Sequence, residues 1–259
     1  MRGTVLYAPR DVRFEERAAP TITKPTDAVI RISATCVCGS DLWNYRGVNP
    51  VTQPTSMGHE YCGIVEEVGR AVKKVKPGQF VIGSFFASDN TCPNCQAGYQ
   101  SSCQAKELVG GAQAGRLRVP LADGTLVATR EVPPDDMVPS LLSLSDVMGT
   151  GWFAADAANV KPGTTVAVVG DGAVGLLGVL SAKLRGAERI IAMSRHESRQ
   201  KLAREFGATD IVTERGDEGV TRIKELTNGI GADAVLECVG TQESMMQAIR
   251  STRPGGSVG

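Results

Sequence analysis

Histidine is scarce in this chain. Only His59 and His196 occur among its 259 residues, so any site built on imidazole rests on one or two positions. Aromatic residues make up 5%, too few for a platform that stacks single-stranded bases. Net charge is absent, because 28 Lys and Arg balance 28 Asp and Glu. That excludes the basic footprint of a nucleic-acid binder. No apolar run approaches the ~18 residues of a membrane span. The opening MRGTVLYAPRDVRFEE lacks an apolar signal-peptide core, so a cytoplasmic location is the default expectation. The seven cysteines are odd in number. Without a secretory signal they point to metal ligands or free thiols, not to a disulfide framework. Internal repeats and low-complexity segments are missing too.

What is present divides near residue 150, giving expected domains at 1–149 and 150–259. In the first, short β-like runs alternate with Gly/Pro turns: VIRIS at 29–33, YCGIVEEVG at 61–69 and FVIGSFF at 80–86, with KPGQ at 76–79 as a turn. This half reads as a mostly antiparallel β domain. In the second, strands are expected after the turn in 161–170 and at 189–193, 210–212 and 233–240. Helices are expected at 173–186, 197–207, 220–226 and about 242–251, with Gly186 and Gly207 as stops. The first of the strands is read only as the part of KPGTTVAVVG at 161–170 that follows its turn, and strand–helix alternation at this spacing predicts a doubly wound parallel sheet. A full dinucleotide fold has six strands ordered 3-2-1-4-5-6. Here about four are legible and Ser257–Gly259 would open a fifth, so the sequence is expected to stop inside its own domain.

Gly170-Asp171-Gly172-Ala173-Val174-Gly175 is a GxGxxG that follows a strand and opens a helix. In that context the glycines serve a tight turn, backbone approach to a pyrophosphate and close helix–strand packing. The helix N-terminus adds free N–H groups and partial positive charge. The second strand ends in Ser194-Arg195, with Arg199 one turn further on. A hydroxyl and guanidinium groups suit a 2′-phosphate, which favours NADP(H) over NAD(H). The alternative is that both arginines are solvated and Glu197 serves as the acid that NAD binding wants.

The pieces CVCGSDLWNYRG at 36–47, GHEYCGIVEEVG at 58–69, TCPNCQAGYQSSC at 91–103, DVMGTGW at 146–152 and the glycine loop together resemble the zinc-dependent alcohol dehydrogenases of the medium-chain dehydrogenase/reductase superfamily. The resemblance covers the whole chain. It implies an α/β protein with an N-terminal GroES-like β domain followed by a Rossmann-type doubly wound sheet, incomplete here. It also implies Cys38, His59 and Asp146 as catalytic zinc ligands and Glu60 as a fourth or exchanging ligand. Such an N/O/S set suits Zn²⁺. By the same resemblance Ser40 relays the alcohol proton, Asp41 fixes the histidine tautomer, and Thr150 lies against the nicotinamide. Trp43 departs from the pattern, since many relatives carry a relaying His there. It either narrows the pocket or simply packs.

Asp89, Cys92, Cys95 and Cys103 match the family's structural-zinc lobe, with Asp in place of the first Cys. A filled site is favoured, against free thiols, a Cys92/Cys95 redox pair, or a water as fourth ligand. Cys36, Cys62 and Cys238 read as inert core residues. The implied activity is zinc-dependent hydride transfer between an alcohol or carbonyl substrate and NADP(H). The alternatives are a zinc-free quinone or enone reductase of the same superfamily, or an inactive fragment that binds zinc and nucleotide. A small-molecule substrate is expected, with no nucleic-acid or membrane partner, and a homo-oligomer for a full-length version.

Overall fold

The computed structural model describes residues 1–259. The chain divides into two compact units, Met1–Asp146 and Val147–Gly259. No helix is long and apolar enough to cross a membrane.

The first unit runs β1 (Arg2–Ala8), β2 (Asp11–Glu16), β3 (Ala28–Thr35), α1 (Asp41–Tyr45), β4 (Thr55–Ser56), β5 (Tyr61–Val68), β6 (Phe80–Gly83), β7 (Phe86–Ala87), α2 (Pro93–Gln96), β8 (Glu107–Leu108), β9 (Arg116–Val119), α3 (Ala122–Thr125), β10 (Leu126–Ala128) and α4 (Val138–Leu142). Its main sheet is antiparallel with strand order β10-β6-β5-β3-β9. The β-branched and aromatic residues Ile30, Tyr61, Val65, Val81 and Val119 fill one core beneath it. The 80–86 run was expected as one strand but breaks after Gly83. The Tyr61 hydroxyl donates to the Ser84 carbonyl at 3.0 Å, and Ser84 Oγ accepts the Phe86 N–H at 3.2 Å. Side chains thus take the backbone groups that would have continued the ladder, and β7 pairs with β8 instead.

The second unit runs α5 (Val147–Ala157), β11 (Thr165–Val169), α6 (Ala173–Leu184), β12 (Arg189–Met193), α7 (Glu197–Phe206), β13 (Asp210–Val212), α8 (Gly216–Leu226), β14 (Ala232–Glu237), α9 (Gln242–Ser251) and β15 (Thr252–Val258). All five strands are parallel, in order β13-β12-β11-β14-β15. Alternate residues of β11 divide between two cores. Val166 and Val168 pack with Ala154, Ala155, Val179, Ala182 and Ala203 of α5, α6 and α7. Ala167 and Val169 pack with Ile223 and Ala248 of α8 and α9. Helices on both faces explain why the strands read as continuous apolar runs.

The sheet has five strands where about four were legible. The fifth starts at Thr252, directly after α9, and not at Ser257. An irregular register between Ala232 and Ala234 of β14 absorbs the Pro254-Gly255-Gly256 that reads as a turn in sequence.

Candidate functional site

Three separate stretches of the first unit converge on one cluster. Cys38 lies in the turn between β3 and α1, His59 and Glu60 lead into β5, and Asp146 follows the turn after α4. One donor atom from each of these four residues lies within 4.8 Å of the others. His59 Nε2 is 3.4 Å from Asp146 Oδ2, and Cys38 Sγ is 3.8 Å from the same oxygen. A tetrahedral ion with bonds of about 2.0–2.3 Å has ligand–ligand edges of about 3.3–3.8 Å. The spacing therefore fits Zn²⁺, and so does the mixed N/O/S donor set.

Asp41 ties two of these ligands together. Its Oδ2 accepts the Cys38 N–H at 3.0 Å, and its Oδ1 lies 3.5 Å from His59 Nδ1. An Nδ1–H turned toward Asp41 leaves the Nε2 lone pair facing the cluster, the tautomer that a metal ligand needs. Asp146, then Asp41 and Cys38, push the imidazole pKa up to about 12, although burial opposes this. The cage is an anionic pocket built around a positive charge, which a divalent cation supplies as well as a proton. Ser40 Oγ sits 3.4 Å from His59 Nε2. Trp43 lies on α1 and is 40% exposed, so it is not locked in a core.

Glu60 is a buried carboxylate, 2% exposed. Its Oε2 accepts from the Cys36 thiol at 3.1 Å, and its carbonyl accepts from Thr35 Oγ1 at 2.8 Å. Cys36 was expected to be inert, yet it holds a candidate ligand. Burial first, then Glu60, pushes its thiol up to about 12, so it stays a donor. Its signal in sequence was weak: a second cysteine two positions before Cys38.

The second cluster is local. Cys92, Cys95 and Cys103 are 5–8% exposed and form their own buried group. Cys92 Sγ is 3.5 Å from Cys95 Sγ and 3.9 Å from Cys103 Sγ, again close to the edges of a tetrahedron. Asp89 completes the set. Its Oδ1 accepts the Thr91 and Cys92 N–H groups at 2.8 and 3.1 Å. These bonds hold its carboxyl down to about 2. N–H groups of Gln104 and Cys95 lower the Cys92 thiol to about 7, while burial, then Cys92, raises Cys95 to about 12. All seven cysteines are free thiols.

In the second unit the glycine loop joins β11 to α6. Gly170 has φ +117°, and Gly172 is the N-cap of α6. A Cβ on Gly175 would lie 2.1 Å from the Gly170 carbonyl oxygen, so no larger residue fits there. Ala173 and Val174 form the first turn of α6, where N–H groups are free of helical partners. Thr150 is exposed on α5.

The loop's own acid, Asp171, escaped the sequence reading. Its Oδ2 accepts from Ser194 Oγ at 2.8 Å, and its Oδ1 accepts from Arg199 Nη1 at 2.8 Å. Burial works against its ionisation, but Ser194 and Arg199 outweigh it and hold the carboxyl below its usual range. Two of the three residues expected to meet a phosphate thus meet a carboxylate. Arg195 is exposed and makes no ion pair within 4.0 Å. An acid inside GxGxxG, opposite a serine at the end of the second strand, was the available clue.

Residues 24–142 match the alcohol dehydrogenase GroES-like domain, and residues 173–259 match the zinc-binding dehydrogenase family. Zinc-type alcohol dehydrogenase B of Aspergillus flavus is 37% identical over the whole chain, which spans 62% of that protein. The NADP-dependent isopropanol dehydrogenase of Clostridium beijerinckii is 32% identical, and the chain spans 75% of it. The solved alcohol dehydrogenase TADH from Thermus sp. ATN1 superposes with a TM-score of 0.87 at 34% identity, over 99% of this chain and 75% of that one. Fold, donor sets and relatives agree: the chain belongs to the zinc-binding alcohol dehydrogenases of the medium-chain dehydrogenase/reductase superfamily.

Proposed function

We propose that this chain carries the catalytic zinc site and nucleotide loop of an oxidoreductase that moves a hydride between an alcohol and its aldehyde or ketone, with NADP(H) as partner. The convergence of Cys38, His59, Glu60 and Asp146 is the observation that carries this reading. Zinc bound there would supply Lewis acidity toward a substrate oxygen. Cys38, His59 and Asp146 would hold the ion, and Glu60, shared with the Cys36 thiol, is suited to exchange with an incoming oxygen. Asp41 fixes the imidazole tautomer through Nδ1. Ser40, 3.4 Å from Nε2, would take up the alcohol proton. With Trp43 in place of a relaying His, that proton would leave through the cofactor's ribose hydroxyls and water.

Asp89, Cys92, Cys95 and Cys103 would hold a second, structural zinc. The α6 N-terminus offers N–H groups to a pyrophosphate. Ser194 and Arg199, both held by Asp171, and the unpaired Arg195 are assigned to a 2′-phosphate, in line with NADP(H), the cofactor named for the Clostridium relative. Thr150 is assigned to the nicotinamide side.

The test is turnover of an alcohol panel by metal-loaded protein with NADP or NAD, before and after exhaustive chelation. Loss of turnover on demetallation and its return with Zn²⁺ are expected. Full turnover without metal would overturn the reading.

A further inference from the structure

Strands β13, β12 and β11 are neighbours in the parallel sheet, so the residues just past their C-terminal ends lie on one rim. In doubly wound sheets that rim is where ligands bind. Here it carries Asp171 after β11, Ser194 and Arg195 after β12, and Arg215 after β13. Asp171 is already committed to Ser194 and Arg199. Arg215 is the N-cap residue of α8; its carbonyl accepts the Gly219 N–H, but its side chain makes no hydrogen bond or ion pair. Its Nη1 is buried without any acceptor. Burial lowers its pKa, and its charge couples to both Asp171 and Arg195. The nearest acid in sequence, Glu214, turns back to its own strand end and accepts the Thr213 N–H at 3.0 Å. Asp171 is paired with Arg199, and neither Arg195 nor Arg215 has an acid within 4.0 Å of its guanidinium group. A buried guanidinium N–H with no partner is costly unless a ligand satisfies it, and a phosphate dianion matches both the charge and the fork geometry.

We propose that Arg215 is a specificity-determining residue of the nucleotide site, recognising a phosphate on the adenosine ribose together with Arg195, while Asp171 acts as a positioning residue that holds Ser194 and Arg199 as a preformed edge. This rests on the NADP(H) reading. It adds a residue from the turn between β13 and α8 that no motif pointed to, and it gives the loop acid a role. The competing role for Asp171 is to accept from ribose hydroxyls, which would favour NAD(H).

The experiment is direct titration of the full chain with NADPH and with NADH, for the wild type, Arg215→Met and Arg215→Lys. Wild type is expected to bind NADPH more tightly. Arg215→Met should weaken NADPH by about 10- to 100-fold, the loss expected for a charge-assisted bond to phosphate, and leave NADH within about twofold, the scatter of a site that has lost no contact. Arg215→Lys keeps the charge but not the fork and should fall between. Wild type binding NADH at least as tightly would overturn the NADP(H) reading itself. NADPH preferred by wild type but weakened equally with NADH in Arg215→Met, or not weakened at all, would overturn the role of Arg215 and leave that reading standing.

Discussion

The two acid–cysteine clusters of the first unit share ligand chemistry but differ in how the chain assembles them. Asp89, Cys92, Cys95 and Cys103 come from one short stretch, and their sulfurs are almost wholly buried. Cys38, His59, Glu60 and Asp146 come from three distant stretches, and the His59 side chain keeps 21% of its surface. Around a zinc ion, three soft thiolates and a carboxylate would close a tetrahedron and leave no position for a ligand. One thiolate, one imidazole and two carboxylates, one of them shared with the Cys36 thiol, would leave a position that can exchange. Locality follows the same division. A staple is needed where a loop has little core, whereas an exchangeable site is best anchored to strands and helices fixed by the main sheet.

The sharpest way to break this contrast is His59→Ala. It should remove the ion from the dispersed cluster only, reduce metal content from two zinc ions per chain to one, and lower kcat/KM at least about a thousandfold, as the loss of several kcal/mol of charge stabilisation requires. Loss of both ions would show that the clusters are not independent. Cys95→Ser should do the converse. It empties the local cluster and costs about 3–4 kcal/mol, the linkage of a tightly bound ion at 100–1,000 times its dissociation constant, while zinc at the dispersed cluster is retained. Thermal melts with parallel metal analysis measure both effects.

A smaller effect is expected from Asp41→Asn, which keeps the shape but weakens the hold on His59 Nδ1. Zinc affinity at the dispersed cluster should fall about 10- to 100-fold with no change at the local one, as read by competition with a chromophoric chelator. The smallest is a control in the second unit. Arg189 grips Asp210 with two bonds, of 2.9 and 2.8 Å, and holds its carboxyl down to about 2. Asp210→Asn should cost about 1 kcal/mol near neutral pH, discounted for partial exposure. Because the folded-state pKa is depressed, that stabilisation is complete above the unfolded value of about 3.9 and is lost as pH falls through about 2. The difference between variant and wild type should shrink over that window and ignore chelators.

Much of this was legible in sequence because it rests on local rules. β11, β12 and β13 announced themselves as apolar runs, and α6 and α7 by their glycine stops. The candidate ligands came from a family resemblance carried by short motifs, and the fold brings those residues together. What was not legible depends on pairing across the fold. Asp171 reaches Ser194 and Arg199 only because β11 and β12 are neighbours. Cys36 meets Glu60 only because β3 pairs with β5, and no spacing along the chain encodes either contact. The start of β15 was misread because Pro254-Gly255-Gly256 has turn composition, while the sheet accommodates it with an irregular register.

The most direct test is a zinc-edge anomalous difference map from crystals of the zinc-loaded chain. The account predicts one peak bonded to Cys38 Sγ, His59 Nε2 and Asp146, at about 2.0–2.3 Å from each, and a second among Asp89, Cys92, Cys95 and Cys103. Crystals with a peak at the second site and none at the first would contradict it.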